Sequence, residues 1–139
     1  MPSEIRLKRI QDQIKRVITE ILEGRVNDPR LASVYVTDVS VDRELDYANI
    51  YVSALGKEDQ VEEILEGLEN ASGFMRFNLS QEVKLRAMPK LRFYWDDTPE
   101  RADRIESLLE EIRKERAARG EDEFDIAEDV EEGLDDEGN

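Results

Sequence analysis

The run Ala71-Ser72-Gly73-Phe74-Met75-Arg76 carries the densest chemistry in this sequence. Glycine adopts positive φ and permits close backbone approach, and a serine ahead of a helix accepts a hydrogen bond from its first turn. A helix beginning at this point presents unpaired backbone N–H groups to an anion such as phosphate, and Arg76 stands one turn in, within reach of the same anion. An ordinary corner between two helices is the competing reading. The cations nearby are Arg76, Lys84, Arg86, Lys90 and Arg92, opposed between residues 76 and 92 by Glu82 alone. Arg6, Arg9 and Arg16 share a second stripe, with Gln13, near the N-terminus; for these three a solvated helix flank is the simpler reading.

Much other chemistry is excluded. The 139 residues include no cysteine and no histidine. Zinc fingers, thiol nucleophiles, Ser-His-Asp triads and histidine bases are therefore ruled out, and a disulfide framework with them. The acidic pairs Asp96-Asp97 and Glu62-Glu63 read as a helix cap and a solvated face, because nothing places two carboxylates in an apolar cleft beside a donor set. No enzyme, metal or cofactor is expected. No apolar run is long enough to span a membrane, and the first residues lack a signal peptide's apolar core; a cytoplasmic protein is expected. The net charge of −15 disfavours a nucleic-acid partner at first sight. Residues 120–139, however, hold 11 of the 35 acids and no base, which leaves residues 1–119 at −4. Within that body residues 1–16 and 76–92 are basic and residues 38–69 acidic, so a local basic face is compatible with the total.

Hydrophobic spacing supplies the elements that must position these groups. Leu7, Ile10, Ile14, Val17, Ile18 and Ile21 form a stripe roughly 100° wide on a helix over 4–23, with Ser3 as N-cap and Gly24 just past its end. Residues 25–30 form a loop. Residues 33–41 read as a strand in which Val34 and Val36 share a face while Val39-Ser40-Val41 shifts parity, the mark of a bulge or a twist. After a hairpin connection at 42–46, a strand over 47–53 turns Ala48, Ile50 and Val52 inward. A helix over 58–70 buries Val61, Ile64, Leu65 and Leu68; the chain breaks at 70–73; a second helix over 74–84 uses Phe74, Met75, Leu79 and Val83 as apolar positions. Phe77 is assigned to the core, with stacking on an unpaired base as its alternative. Pro89 stops the helix. A strand over 91–96 sets Leu91, Phe93 and Trp95 against Arg92 and Tyr94, and a cap at 97–100 starts a last helix to about 117 with Ile105, Leu108, Leu109 and Ile112 in register. The order is α-β-β-α-α-β-α, an α+β domain over 1–118. Residues 119–139 are expected to be a disordered acidic tail. Phe124, Ile126, Val130 and Leu134 are spaced for a short helix on a partner, with a solubilising role as the plainer reading.

This order, with a basic helix pair beside a three-stranded mixed sheet, is the layout of a type II KH domain, a module that grips a nucleic-acid backbone at a turn between helices. Several stretches resemble the ribosome-binding factor A family: Asp28-Pro29-Arg30, Val36-Thr37-Asp38-Val39, Ala48-Asn49-Ile50-Tyr51-Val52-Ser53, Asn70 through Arg76, Leu85 through Phe93, and Asp96-Asp97. The resemblance covers roughly residues 3–116. It implies a KH-like fold in which an Ala-Xaa-Gly kink at Ala71, Ser72 and Gly73 replaces GXXG. It also implies a monomeric assembly factor that binds the free 30S subunit and its 16S rRNA, aids late maturation of the rRNA 5′ end, and serves growth in the cold. The RNA-binding surface carried over comprises Ala71, Ser72, Gly73, Arg76, Lys84, Arg86, Lys90 and Arg92, with Arg6, Arg9 and Arg16 beside it, and ribosomal proteins as further contacts. Phe77 and Asn78 stand where more basic residues are expected, which weakens sequence-independent phosphate binding. The alternative is a KH-like protein-interaction module that no longer touches RNA, motivated by the acidic middle and the missing GXXG.

Overall fold

The computed structural model describes residues 3–120; the expected acidic tail and its apolar positions lie outside them. The chain divides into two compact units at Asp97/Thr98. In the first, helix α1 (Glu4–Gly24) buries Ile10, Ile14, Val17, Ile18 and Ile21, the spacing of a single helical face. Ser3 caps it, accepting from the Arg6 N–H at 3.1 Å. Gly24 is the last helical residue rather than the one beyond: Arg25, itself in the right-handed region, closes the turn by donating its N–H to Ile21 O, so no left-handed glycine is needed. In the following loop Asp28 caps a short 3₁₀ turn over Pro29–Leu31.

Strands β1 (Tyr35–Val41) and β2 (Tyr47–Ser53) pair antiparallel, with the register shift falling between Val36 and Asp38. The parity change read in the sequence is this bulge. The extra residue, Thr37, donates its hydroxyl to Asp96 Oδ2 at 2.7 Å and also lies 3.2 Å from Tyr51 O, so the bulge ties β1 to the end of the third strand. That strand, β3 (Lys90–Trp95), runs parallel to β2, giving a mixed sheet in the order β1-β2-β3. A parallel pair needs a crossover, and helix α2 (Val61–Glu82) supplies it. Ala48, Ile50, Val52 and Leu91 from the sheet join the apolar stripes of both helices in one core. The other sheet face is left outward.

The break expected at 70–73 is absent, because α2 is one helix of 22 residues. Ser72 donates its hydroxyl to Glu69 O within the helix instead of capping a new one, and Gly73 does not take positive φ. The cause is tertiary: Ile64, Leu68, Met75 and Leu79 are buried and Ala71 packs against them, a stripe that only a continuous helix keeps on one side. Phe74 and Phe77 fall on the opposite side. They are 47% and 64% exposed, so neither is a core residue. In the second unit, α3 (Thr98–Arg119) buries none of its residues; Ile105 and Leu108 are exposed. Their helical spacing marks a face and not a core.

Candidate nucleic-acid interface

Two segments far apart in sequence build a basic trough. Arg6, Arg9, Ile10 and Gln13 of α1 line a groove of about 340 Å³ with Glu82, Lys84 and Leu85. Lys84 and Leu85 also line a second hollow of about 560 Å³ with Ser80, Val83, Arg86, Ala87 and Met88. The two hollows share Lys84 and Leu85 in their linings, and along this trough stand Arg6, Arg9, Lys84 and Arg86, all exposed. Its acid, Glu82, faces Arg16 at 3.9 Å.

The loop that presents Lys84 and Arg86 is held from α2. Arg76 donates to Met88 O at 3.0 Å and to Pro89 O at 3.2 Å, so its guanidinium clamps the backbone instead of standing free for phosphate. Arg16 is likewise engaged, donating to Glu20 at 3.2 Å. Ala71, Ser72 and Gly73, read as a helix start, offer no free N–H groups, because the helix continues through them; what remains there is open space around Gly73, where an added Cβ meets nothing within 4 Å. Lys90 and Arg92 lie apart from the trough on the outward face of the sheet, with Arg92 Cζ 3.3 Å from the Tyr47 ring centroid. The expected basic surface is therefore two surfaces, one along the helices and one across the sheet.

Sequence reasoning missed an ion pair packed against the N-terminal half of α2. Asp28 and Arg30 form a bidentate pair, with Arg30 Nη2 2.8 Å from Asp28 Oδ2. Hydrogen bonding from Arg30 holds the Asp28 carboxyl below its ordinary value. Gly67 of α2 sits directly against this pair and Leu31: a Cβ there would lie 3.1 Å from Leu31 and 3.3 Å from each of Arg30 and Asp28. The Asp-Pro-Arg run is legible as a cap followed by a 3₁₀ turn; a glycine within an apolar helical stripe is the matching signal on the other side. Among the described residues no cluster of three or more acidic side chains is arranged to hold a metal ion.

A mixed β1-β2-β3 sheet with its first two helices packed on one face is a type II KH-like α+β fold. The ribosome-binding factor A family model matches residues 6–109, and the chain belongs to that family. Ribosome-binding factor A from Marinomonas sp. (strain MWYL1) is 42% identical over 119 residues, spanning 83% of this chain and 92% of its own. The crystal structure of ribosome-binding factor A from Thermus thermophilus superposes with a TM-score of 0.58 at 26% identity, covering 64% of this chain and 93% of that one. A homology model of the Thermus thermophilus factor, fitted into a cryo-EM map of a 30S–RbfA complex, gives 0.52 at 27% identity over 62% of this chain and 90% of its own.

Proposed function

We propose that this protein is a non-enzymatic assembly factor that docks on the free small ribosomal subunit, contacting 16S rRNA through the trough of Arg6, Arg9, Lys84 and Arg86. The observation that carries this reading is the convergence of these four cations from the two basic stretches of an otherwise acidic body. Phosphate contacts position a protein on RNA, and arginine and lysine ahead of an apolar wall suit a backbone that passes along a groove. The family relationship supports the ribosomal target, since the Thermus thermophilus relative has been placed in a 30S complex. In this reading the factor acts as a cytoplasmic monomer late in 30S maturation. It aids processing of the 16S rRNA 5′ end by holding RNA in a shape that nucleases accept, a step most needed in the cold, when misfolded RNA is slow to rearrange. The test is co-sedimentation. The full chain is expected with free small subunits and not with complete ribosomes, and K84Q/R86Q is expected to reduce that association; sedimentation with neither particle overturns the reading.

The exposed Phe74 and Phe77 on α2 favour a second reading, a protein-interaction module for ribosomal proteins. Crosslinks from assembling subunits to ribosomal proteins alone, with none to RNA near residues 6–16 or 84–92, would decide for it.

A further inference from the structure

The outward face of the sheet lies across the core from the trough and has a different composition. Along β3 it carries Lys90, Arg92 and Tyr94; beside them on β2 stand Tyr47, Asn49 and Tyr51, in the pairs Tyr47↔Lys90, Asn49↔Arg92 and Tyr51↔Tyr94. Tyr47 is 36% and Tyr94 40% exposed. The rings of Tyr51 and Tyr94 stack with centroids 5.5 Å apart and planes 27° from parallel. Arg92 lies over the Tyr47 ring at 3.3 Å, which holds the guanidinium by cation–π attraction and leaves its far side open. Two flat groups are thus preset two residues apart on one strand, about 6.6 Å along it.

We propose that this face is a second RNA contact, a stacking platform for two adjacent unpaired nucleotides: one base on the outer side of the Arg92 guanidinium, the next on Tyr94, and the flanking phosphate at Lys90. The inference deepens the assembly-factor reading and rests on it for the presence of RNA. Sheet-borne aromatics and arginine planes recognise splayed bases of single-stranded RNA. Base-paired RNA presents no such faces. Charge agrees with this occupant. Lys90 and Arg92 are exposed, and an acid on this face, Asp38, sits on β1 across from Tyr51, which sets the path of the phosphates along β3 and away from β1. Asn49 lies between the two stacks with its amide nitrogen donating to Ser40 Oγ, keeping the ground between them polar.

The full-length protein, an oligouridine 12-mer carrying 4-thiouridine and a duplex of equal length test the proposal together. A crosslink at Tyr94 is expected with the single strand and not with the duplex. Tyr94→Ala is expected to weaken single-strand binding roughly tenfold, with Tyr94→Phe close to the parent. Arg92→Lys keeps the charge and removes the plane, so it is expected to weaken binding while the salt dependence is unchanged. If Arg92→Lys and Tyr94→Ala both bind like the parent while K84Q/R86Q does not, the platform is overturned and the trough stands. If the platform variants lose single-strand binding but K84Q/R86Q keeps full association with small subunits, the platform holds and the trough falls. Circular dichroism of each variant reports folding, and Tyr94→Phe serves as the folded reference.

Discussion

Two glycines six residues apart on α2 carry opposite expectations. Gly73 is helical, exposed and surrounded by open space, so Gly73→Ala is expected to stabilise the protein by about 0.5–1 kcal/mol through reduced backbone freedom. Gly67 has the same propensity to gain, but its Cβ would press on Leu31, Arg30 and Asp28 at 3.1–3.3 Å. Leu31 is buried, and the ion pair is fixed by its own hydrogen bonds. Neither yields freely, and Gly67→Ala is expected to destabilise by roughly 1 kcal/mol. Urea unfolding of the two variants measures both signs. The Asp28–Arg30 pair adds a pH signature. Because folding lowers the Asp28 pKa from its ordinary 3.8, its contribution is complete at neutral pH. It fades as pH falls below that value and is gone once the lowered native value is passed. Asp28→Asn should therefore be less stable than the parent at pH 7 and converge with it in strong acid, and a pH series of unfolding midpoints checks this. Locally, glycine at 73 looks like a break; what the residue type does not reveal is that Ile64, Leu68, Ala71, Met75 and Leu79 form one uninterrupted stripe across it. Periodicity over the whole segment carries that information, and a three-residue turn signal hides it.

Among the elements, the loop over 83–89 depends on α2 more than on itself. Its end is fixed by the two hydrogen bonds from Arg76 to Met88 O and Pro89 O. Lysine cannot reproduce a forked donor, so Arg76→Lys is expected to lower stability by about 1–2 kcal/mol and to raise amide exchange selectively at residues 84–88. RNA affinity should fall with its salt slope unchanged, because the cations are displaced and not removed. K84Q/R86Q should instead flatten the slope, by roughly 0.7–0.9 for each phosphate that is no longer neutralised. Titrations at several salt concentrations separate the two. The strands are legible because alternation has a period of two and little competes with it: β2 begins and ends at the residues its alternation predicts, and the bulge announces itself as a parity change. The site is less so. The sequence groups Lys84, Arg86, Lys90 and Arg92 as one basic run, but Ala87, Met88 and Pro89 turn a corner into a strand. Lys90 and Arg92 thereby end on the far face of the sheet, an outcome of topology that charge spacing cannot encode. Phe77 is misplaced by the sequence for a related reason: hydrophobicity argues for burial, and only the phase of a continuous α2 turns it outward.

At the scale of the whole molecule, the core and the charge divide at the same place. Every residue of the buried cluster lies between Ile10 and Leu91, and α3 buries none of its own. A chain ending at Asp97 is therefore expected to unfold cooperatively, with a midpoint close to that of the full protein. The same truncation removes 6 of 20 bases and 17 of 35 acids, taking the net charge from −15 to −4. The trough and the sheet platform both remain in the shortened chain, so its contacts with RNA should be unchanged while the repulsive field around them is mostly gone. Field effects act on encounter more than on the bound state. The shortened chain is therefore expected to bind single-stranded RNA faster at low salt, by roughly tenfold, with a similar rate of release. Near 1 M salt, where screening acts within about 3 Å, the two association rates should meet. Stopped-flow measurements on both proteins across salt read this directly. Equal rates at low salt would mean that residues 98–139 exert no field at the binding surfaces, and slower binding by the short chain would mean that they supply contacts of their own.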